Sequence, residues 1–376
     1  MVGAGPAGAV ASRELARRGR TVLLIDRATF PRPKVCGCCL NSAALGTLAA
    51  VGLGGLVEQC GAVPLGRVRL AAGGRSAELG LPGGMALSRD VFDAALVREA
   101  IAAGASFLSG TNVVRSLRER SSPNRSRSER TKFQAVRGSD TAVVSAGVLI
   151  AADGLNGQLT ASEGSHPTVA PGSRIGAGAV ADTAPDFYNP GAIFMAVDRG
   201  GYVGLVRLED GRLDIAAAFD PAFARDAGKL GSAAGAIVSE AGLPTFPGLN
   251  DLRWRGTPAL TRTPRRVAGE RWFAVGDAAG YVEPFTGEGM AWAVASAVAV
   301  VPLAAPPWHP GLAREWEETH ARLIRSRQAT CRAAARVLRS PRLSRWAVRL
   351  LSVAPVLARP VVAALNRPAH APGPVA

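Results

Sequence analysis

The sequence predicts an α/β protein with a Rossmann-type domain of three layers, two of sheet and one of helix (ββα). A second domain built on an antiparallel sheet and a helical C-terminal tail complete the predicted fold. Three observations support this prediction. A glycine-rich turn, a helix and an apolar strand fill residues 1–26, short apolar runs alternate with turns over 174–260, and an arginine-rich stretch with helical spacing follows residue 311.

The first element is a turn that fits the G-x-G-x-x-G pattern of dinucleotide sites. Its residues are Gly3, Ala4, Gly5, Pro6, Ala7 and Gly8. The first glycine allows a tight turn, the second lets a pyrophosphate approach the backbone, and the third allows close packing of the helix that follows. Amides at the start of that helix, expected over 9–19, would then bind the phosphates.

An apolar strand, TVLLID, follows the helix and ends in Asp26, eighteen residues after Gly8. A carboxylate at the end of this strand accepts hydrogen bonds from ribose hydroxyls in dinucleotide-binding domains. Because the turn and the acid occur at the required spacing, we predict a working nucleotide site. For Asp26 taken alone, a cap at the end of the strand is the alternative.

The strand that should precede the glycine turn is missing or truncated, since only Met1 and Val2 stand before Gly3. This strand lies in the centre of a parallel sheet, where both neighbours need its backbone hydrogen bonds. Burying four aliphatic side chains there would contribute roughly 6–10 kcal/mol. We therefore expect the natural chain to begin several residues upstream of Met1.

Later segments extend the same pattern. A helix is predicted over 88–104, and the polar, arginine- and serine-rich residues 115–132 are predicted to form an exposed insertion. A hairpin is predicted about Asp210-Gly211. The apolar stretch 289–313 is predicted to be a buried helix that ends at Pro302, too short to cross a bilayer.

These elements divide the chain into three parts. The Rossmann-type domain is discontinuous and takes residues 1–70, 86–174 and 262–305. The antiparallel domain takes 71–85 and 175–261, and the tail takes 306–376.

The charge and the cysteines exclude several classes of protein. The net charge of +15 is concentrated in residues 115–132 and 311–376, and neither stretch interleaves aromatic residues as a nucleic-acid platform does. No nucleic-acid partner is therefore predicted. Three of the five cysteines stand in VCGCCL, which fits neither a disulfide framework nor zinc spacing, so no metal is predicted and a reducing cytoplasm is expected. No signal peptide is visible.

Three further stretches narrow the cofactor. They are FPRPKVCGCCLN (30–41), AADGLNGQL (151–159) and VGDAAGYVEPFTGEGM (275–290). Together with the glycine turn they resemble, in this order, the motifs of FAD-dependent oxidoreductases of the para-hydroxybenzoate hydroxylase fold. The branch that they resemble most is that of the geranylgeranyl reductase-like flavoproteins. The resemblance covers about 1–160 and 260–300.

The resemblance implies FAD as the cofactor and NADH or NADPH as the electron donor. The carboxylate of Asp277 would bind the ribityl chain, and residues 284–290 would bring backbone toward the flavin ring. No catalytic residue is assigned, but Cys36 is a candidate because the branch places a cysteine near the isoalloxazine. The predicted cofactor-binding residues are Gly3, Gly5, Pro6, Ala7, Gly8, Asp26, Arg27, Cys36, Gly37, Arg89, Val113, Asp153, Gly154, Gly276, Asp277, Pro284, Gly287, Gly289 and Met290.

Simpler roles remain open for some of these positions. Asp153 and Asp277 could each be turn residues. Glu288 could complement a helix macrodipole or contact the substrate. Cys38 and Cys39 are more often small packing residues.

The sequence departs from the branch in its substrate domain. The branch has a Tyr-x-Trp-x-Phe-Pro pattern, where this chain has Tyr-Val-Gly-Leu-Val-Arg at 202–207. The loss of bulk there counts against a prenyl-chain reductase, and the absence of a Trp-x-Trp-x-Ile-Pro motif counts against a halogenase.

The predicted protein is an FAD-dependent oxidoreductase in which NAD(P)H reduces the flavin. The reduced flavin then oxygenates, by hydroxylation or epoxidation, or reduces a small apolar, aromatic, polyketide-like or isoprenoid substrate. A non-catalytic lipid-binding protein on the same fold is the alternative.

The C-terminal tail suggests a second partner. One face of the helix predicted near 341–351 carries arginines, and the other carries Leu343, Trp346, Leu350 and Leu351. This pattern suits a peripheral contact with an anionic membrane. A helix packed on the protein with a solvated arginine face is an equally good interpretation.

Overall fold

The computed structural model describes residues 1–116, 130–283 and 287–366. The helices are α1 (Pro6–Arg17), α2 (Ser42–Ala50), α3 (Leu56–Gln59), α4 (Arg89–Ala102), α5 (Gln158–Ser162), α6 (Pro221–Asp226), α7 (Leu230–Glu240), α8 (Glu288–Ala304), α9 (Gly311–Leu338), α10 (Pro341–Val353) and α11 (Arg359–Asn366).

Twenty short strands accompany these helices in the described residues. They are β1 (Leu23–Ile25), β2 (Cys39–Asn41), β3 (Val63–Pro64), β4 (Arg67–Ala72), β5 (Arg75–Gly80), β6 (Gly84–Ala86), β7 (Ser106–Leu108), β8 (Asn112–Ser116), β9 (Thr131–Arg137), β10 (Asp140–Ala146), β11 (Leu149–Ala151), β12 (Pro167–Val169), β13 (Ile175–Ala181), β14 (Ala192–Asp198), β15 (Gly201–Arg207), β16 (Leu213–Phe219), β17 (Arg255–Ala259), β18 (Arg262–Pro264), β19 (Ala268–Gly269) and β20 (Trp272–Ala274).

The first layer is a parallel arrangement in which β1 pairs with β7 and β11 pairs with β20. Val2 bridges Ile25 of β1 and Ala151 of β11, both in parallel, so the first residues lie between the two pairs. The Met1 nitrogen donates a hydrogen bond to the Leu23 carbonyl at 2.8 Å. The central position predicted for a truncated first strand is therefore the one that residues 1–2 occupy.

Helices and a second sheet cover the two faces of this layer. On one face, α1, α2, α4 and α8 bury a continuous apolar core that includes Leu24, Phe92 and Val294. On the other face lies an antiparallel sheet in the order β10-β9-β8, whose Phe133 packs with Leu149 and Trp272. These are the three predicted ββα layers.

Strands take up both ends of the insertion predicted at 115–132. Residues 115–116 belong to β8 and 131–132 to β9, because the two strands pair in antiparallel register. Residues 117–129 lie outside the described part of the chain.

The second domain is a seven-stranded sheet in the order β17-β13-β16-β15-β14-β4-β5. All its pairs are antiparallel except β14 with β4. The β15–β16 hairpin turns at Gly211, where φ is +83°, as the sequence predicts. Strand β4 (Arg67–Ala72) pairs with both β14 and β5, so all of it belongs to this sheet. The sheet therefore begins at residue 67, before the predicted domain boundary at residue 71.

The described part of the tail is helical, and the end predicted for the apolar helix before it needs one correction. Helix α8 contains Pro302 and ends at Ala304, since a proline in the last turn removes one hydrogen bond without ending the helix. Helix α9 packs on α8, and α10 packs on β4 and β5. Among the described helices, none combines the length and apolar character that crossing a membrane requires.

Candidate functional site

A cavity of about 960 Å³ lies between the Rossmann-type layers, the second sheet and the tail helices. The predicted cofactor-binding residues line it, with two exceptions. Gly8 lies behind the wall, against Gly3. Pro284 lies outside the described residues.

The glycine turn forms one end of the cavity because its backbone fits too closely for side chains. Gly3 has φ +96°, and a Cβ there would stand 2.2 Å from the Ala152 carbonyl oxygen. A Cβ on Gly8 would stand 1.8 Å from the Gly3 carbonyl oxygen. No side chain caps the N-terminus of α1, so its first amides are available to an anion in the cavity.

Asp26 is held at the end of β1 by the same turn. Its carboxylate accepts hydrogen bonds from the backbone N–H of Ala4 at 2.7 Å and of Ala28 at 2.9 Å. It is buried but still lines the cavity. Asp26 therefore caps the end of the strand and also lies where a carboxylate could accept hydrogen bonds from a ribose.

Four cationic side chains line the cavity near the turn: Arg27, Arg32, Lys34 and Arg89. Arg89 donates two hydrogen bonds of 2.8 Å to the Asp93 carboxylate. The same carboxylate forms an ion pair with Arg32, at an N–O distance of 3.2 Å. Sequence reasoning missed Arg32 and Lys34, although both stand within the 30–41 motif. Burial, followed by the charge of Arg89, lowers the pKa of Lys34.

Two carboxylates complete this half of the cavity. Asp153 Oδ2 accepts the Leu159 N–H at 3.0 Å, whereas its buried Oδ1 has no hydrogen-bond partner in the described residues. Burial raises the pKa of Asp277, and the cations Lys34 and Arg89 oppose that shift. Gly276 has φ +60°, and a Cβ there would stand 2.9 Å from the Ala7 side chain.

This donor and acceptor set fits FAD. Free helix amides and cations suit a pyrophosphate, and carboxylates with an unpartnered oxygen suit sugar and ribityl hydroxyls. When bound, the cofactor would supply hydride transfer.

The 36–39 loop carries three cysteines to the wall of the cavity. A Cβ on Gly287, at the start of α8, would stand 3.2 Å from the Cys39 carbonyl oxygen, so the loop packs directly against that helix end. Cys38 has φ +51° and is buried among Leu65 and Val206, which agrees with its packing role.

Cys36 has a different electrostatic setting from its neighbours. A hydrogen bond from the Cys38 thiol, together with the nearby Arg89 guanidinium, lowers the pKa of Cys36 although burial opposes the shift. Burial raises the pKa of Cys39 and of Asp214. Asp214, on β16, has a buried Oδ2 without a partner in the described residues, and sequence reasoning missed it because it reads as an ordinary polar residue of a hairpin strand.

We expect Cys36 to react with iodoacetamide at pH 7 about tenfold or more faster than Cys60, because its lowered pKa favours the thiolate. Burial raises the pKa of Cys60, which therefore serves as the internal control. The measurement is peptide mapping by mass spectrometry over a series of pH values. Replacing the donor, Cys38→Ala, should slow the reaction of Cys36 below pH 7, and equal rates at Cys36 and Cys60 would contradict the assignment.

Glu288 lies away from the cavity lining. It is 2% exposed at the start of α8 and accepts a hydrogen bond from the Cys331 thiol at 3.5 Å. The substrate role left open for it has no support in this position.

The far half of the cavity is apolar. The second sheet contributes Ile193, Met195, Tyr202 and the small residues Ala216–Ala218. The tail contributes side chains from α9 to α11 that sequence reasoning did not place there: Val337, Leu338, Ala347, Leu351, Leu357, Ala358, Val361, Val362 and Leu365. Within the part of the chain that the structure describes, no His, Cys, Asp and Glu side chains group as metal ligands would.

Comparison with known proteins accords with this site. Residues 1–196 match the model of a family described as FAD binding domain. A menaquinone reductase from Mycolicibacterium smegmatis is 29% identical over 309 residues, covering 77% of this chain and 72% of that protein. One from Mycobacterium tuberculosis is 56% identical over 54 residues, so that match spans 14% of this chain and only 13% of the relative.

Solved structures share the fold at low sequence identity. A geranylgeranyl bacteriochlorophyll reductase-like protein from Thermoplasma acidophilum has a TM-score of 0.78 at 18% identity, covering 96% of this chain and 94% of that one. A p-nitrophenol 4-monooxygenase from Pseudomonas putida has a TM-score of 0.77 at 14% identity, covering 97% of both chains. Because the family model matches more than half of its residues, the chain belongs to the FAD binding domain family.

Proposed function

We propose that the enzyme takes hydride from NADH or NADPH onto FAD and reduces a carbon–carbon double bond of a long apolar, isoprenoid-type substrate such as a menaquinone. The observation that carries this proposal is the apolar half of the cavity. It is continuous with the half that suits FAD, and strands of the second sheet and three tail helices line it.

The placement of FAD within the cavity is part of the proposal. The pyrophosphate would bind at the N-terminus of α1 beside Arg32 and Arg89, and the Asp26 carboxylate would accept a hydrogen bond from a ribose hydroxyl. Asp277 would bind the ribityl chain. The flavin ring would then lie beside the 36–39 loop and the backbone of Gly287, Gly289 and Met290, which line the same part of the cavity.

Small side chains leave room for a bulky substrate beyond the ring. Gly204 and Ala216–Ala218 line the second sheet where larger residues would narrow the cavity. The loss of Trp and Phe from the 202–207 segment is therefore compatible with a wide lipid, although it counted against a prenyl-chain substrate. The likeness to menaquinone reductases favours the same substrate class.

Reduction of a double bond consumes one hydride and one proton. Cys36 and Cys38 both line the cavity wall, and the Cys38 thiol donates a hydrogen bond to the Cys36 carbonyl at 3.9 Å. The neighbouring Cys36 side chain and burial raise the pKa of Cys38, so its thiol is placed to hold the proton that the second carbon receives.

The test uses purified protein reconstituted with FAD. We expect a two-band flavin spectrum and bleaching by NADH or NADPH without oxygen. We also expect detergent-solubilised menaquinone to give a product that still carries two more hydrogen atoms in its side chain after the quinone ring has been reoxidised in air, as detected by mass spectrometry with fragmentation. The same reaction with NAD(P)H but without protein is the control.

Other outcomes would replace the proposal. A product that gains an oxygen atom, and forms only in air, would assign oxygenation instead. A folded protein that binds menaquinone but no FAD would assign non-catalytic lipid binding.

A further inference from the structure

The outer surface of α10, the turn after it and α11 is unusually apolar. Of the fourteen large hydrophobic side chains that are exposed in the described residues, half lie within 343–361. We call these seven residues the tail patch: Leu343, Trp346, Leu350, Val353, Val356, Leu357 and Val361. Contiguous exposed apolar surface marks an interaction site, whereas single exposed residues do not.

Helix α10 is apolar on two sides, and only one of them is used within the protein. Ser344 and Val348 are buried against the β4–β5 side of the second sheet. Leu343, Trp346, Leu350 and Val353 recur at intervals of three and four residues, so they form one outward stripe. Trp346 is 64% exposed and Val353 83%, so no element among the described residues covers this stripe.

The charged residues of the tail segment itself are all basic. Arg342, Arg345, Arg349 and Arg359 are exposed, and no acidic residue occurs anywhere in 341–376. Arg345 also forms an ion pair with Asp198 of β14, at an N–O distance of 3.8 Å. Pairing of two copies through this surface would bring like charges together. An anionic lipid surface instead offers the opposite charge to the arginines and an apolar layer to the stripe.

The patch also borders the cavity. Leu357 and Val361 are about half exposed, at 53% and 50%, and both line the apolar half of the cavity. Leu351 and Ala358 line it from the inner side of the same helices. The apolar surface and the apolar cavity are thus continuous at α11.

We propose that the tail patch docks on an anionic lipid bilayer and places the mouth of the cavity at the lipid surface. An apolar substrate would then enter between α10 and α11 without crossing water. The docking stands on the tail alone, whereas the entry route rests on the proposed function.

The test of docking is co-sedimentation with vesicles of phosphatidylcholine alone and with phosphatidylglycerol added. We expect binding to the anionic vesicles and little to the neutral ones. Brominated lipid should quench tryptophan fluorescence in the wild type and markedly less in Trp346→Phe.

Two pairs of variants separate the apolar and charged contributions. Trp346→Ser with Val353→Ser should weaken partitioning about tenfold or more, and the matched control is Val143→Ser, an exposed valine of β10. Arg342→Glu with Arg349→Glu should weaken it at least about 30-fold, with Arg253→Glu, an exposed arginine of the second domain, as the control. All these side chains are exposed, so circular dichroism and urea midpoints should match the wild type.

Equal binding by the wild type and both tail variants would overturn the proposal. So would a concentration-dependent dimer that the Trp346→Ser variant abolishes, since the patch would then cover a second copy.

The entry route has its own readout. The tail variants should keep the flavin spectrum and the reduction of detergent-solubilised menaquinone, and lose reduction of menaquinone embedded in anionic vesicles. Loss of both activities with intact vesicle binding would instead count against the proposed function and leave the docking in place.

Discussion

Replacing Gly3 by Ala should abolish FAD retention and lower the free energy of unfolding by about 3–5 kcal/mol. The added Cβ would force a left-handed backbone on a non-glycine residue and would meet the Ala152 carbonyl oxygen at 2.2 Å. Neither group can move away, because Ala152 belongs to the backbone beside Val2 and donates its N–H to the Val2 carbonyl at 2.7 Å. Urea unfolding and the flavin absorbance of the purified protein measure the two effects.

Two alanine substitutions elsewhere serve as controls for Gly3→Ala. Gly19 has φ +70° but no atom within 4 Å of a Cβ, so Gly19→Ala should cost only about 1–2 kcal/mol of strain. Gly46 is exposed within α2 and also has open space, so Gly46→Ala should leave stability unchanged or raise it by up to about 1 kcal/mol. If Gly3→Ala behaved like Gly19→Ala, the close approach to Ala152 would be absent.

Replacing Arg174 by Met should lower the free energy of unfolding by about 3–5 kcal/mol, because it leaves the buried Glu283 carboxylate with only the more distant Arg339 guanidinium, at 3.9 Å, as an ion-pair partner. The two side chains are 3% and 1% exposed, and their N–O distance is 3.1 Å. Arg174 also donates to the Leu338 carbonyl at 3.5 Å and lies over the Tyr202 ring, so it joins the second sheet to the end of α9. We therefore expect the apolar half of the cavity to lose order in this variant.

The double variant Arg174→Met with Glu283→Leu tests the cause of that loss. Removing both charges should recover most of the stability, since a buried pair is often replaceable by apolar residues. The matched control is Lys229→Met. Lys229 Nζ lies 3.2 Å from Asp251 Oδ1, about as close as in the buried pair, but the two side chains are 71% and 74% exposed. That change should cost under about 1 kcal/mol, and an equal cost at both pairs would contradict the role of burial.

The half of the cavity that suits FAD could be predicted because its signals are local. The glycine turn, Asp26, the 151–159 turn and the 275–290 stretch are each short, and each needs particular residue types for steric or charge reasons. Parallel β1, β11 and β20 then bring these turns to one end of a layer. The occurrence of these motifs in the family's order along the chain predicted the FAD binding domain and most of the residues that line this half of the cavity.

The apolar half depends on contacts that sequence spacing does not record. Arg174 and Glu283 are 109 residues apart, and although Glu283 stands in the 275–290 stretch, nothing in the sequence pairs it with Arg174. Asp214 reads as a polar hairpin residue, although the 36–39 loop covers it. The tail was expected either to pack or to meet a membrane, and only the docking of α10 on β4 and β5 shows that, within the described residues, one of its two apolar sides is left uncovered.

The sequence by itself therefore determined the three-layer fold and the cofactor class, because a tight turn that admits only glycine and a strand that ends in an acid are requirements of neighbouring residues. The tertiary structure alone decided which residues line the apolar half of the cavity. Side chains from the second sheet and from the tail helices become one cavity wall only when burial of their apolar faces brings residues hundreds of positions apart together.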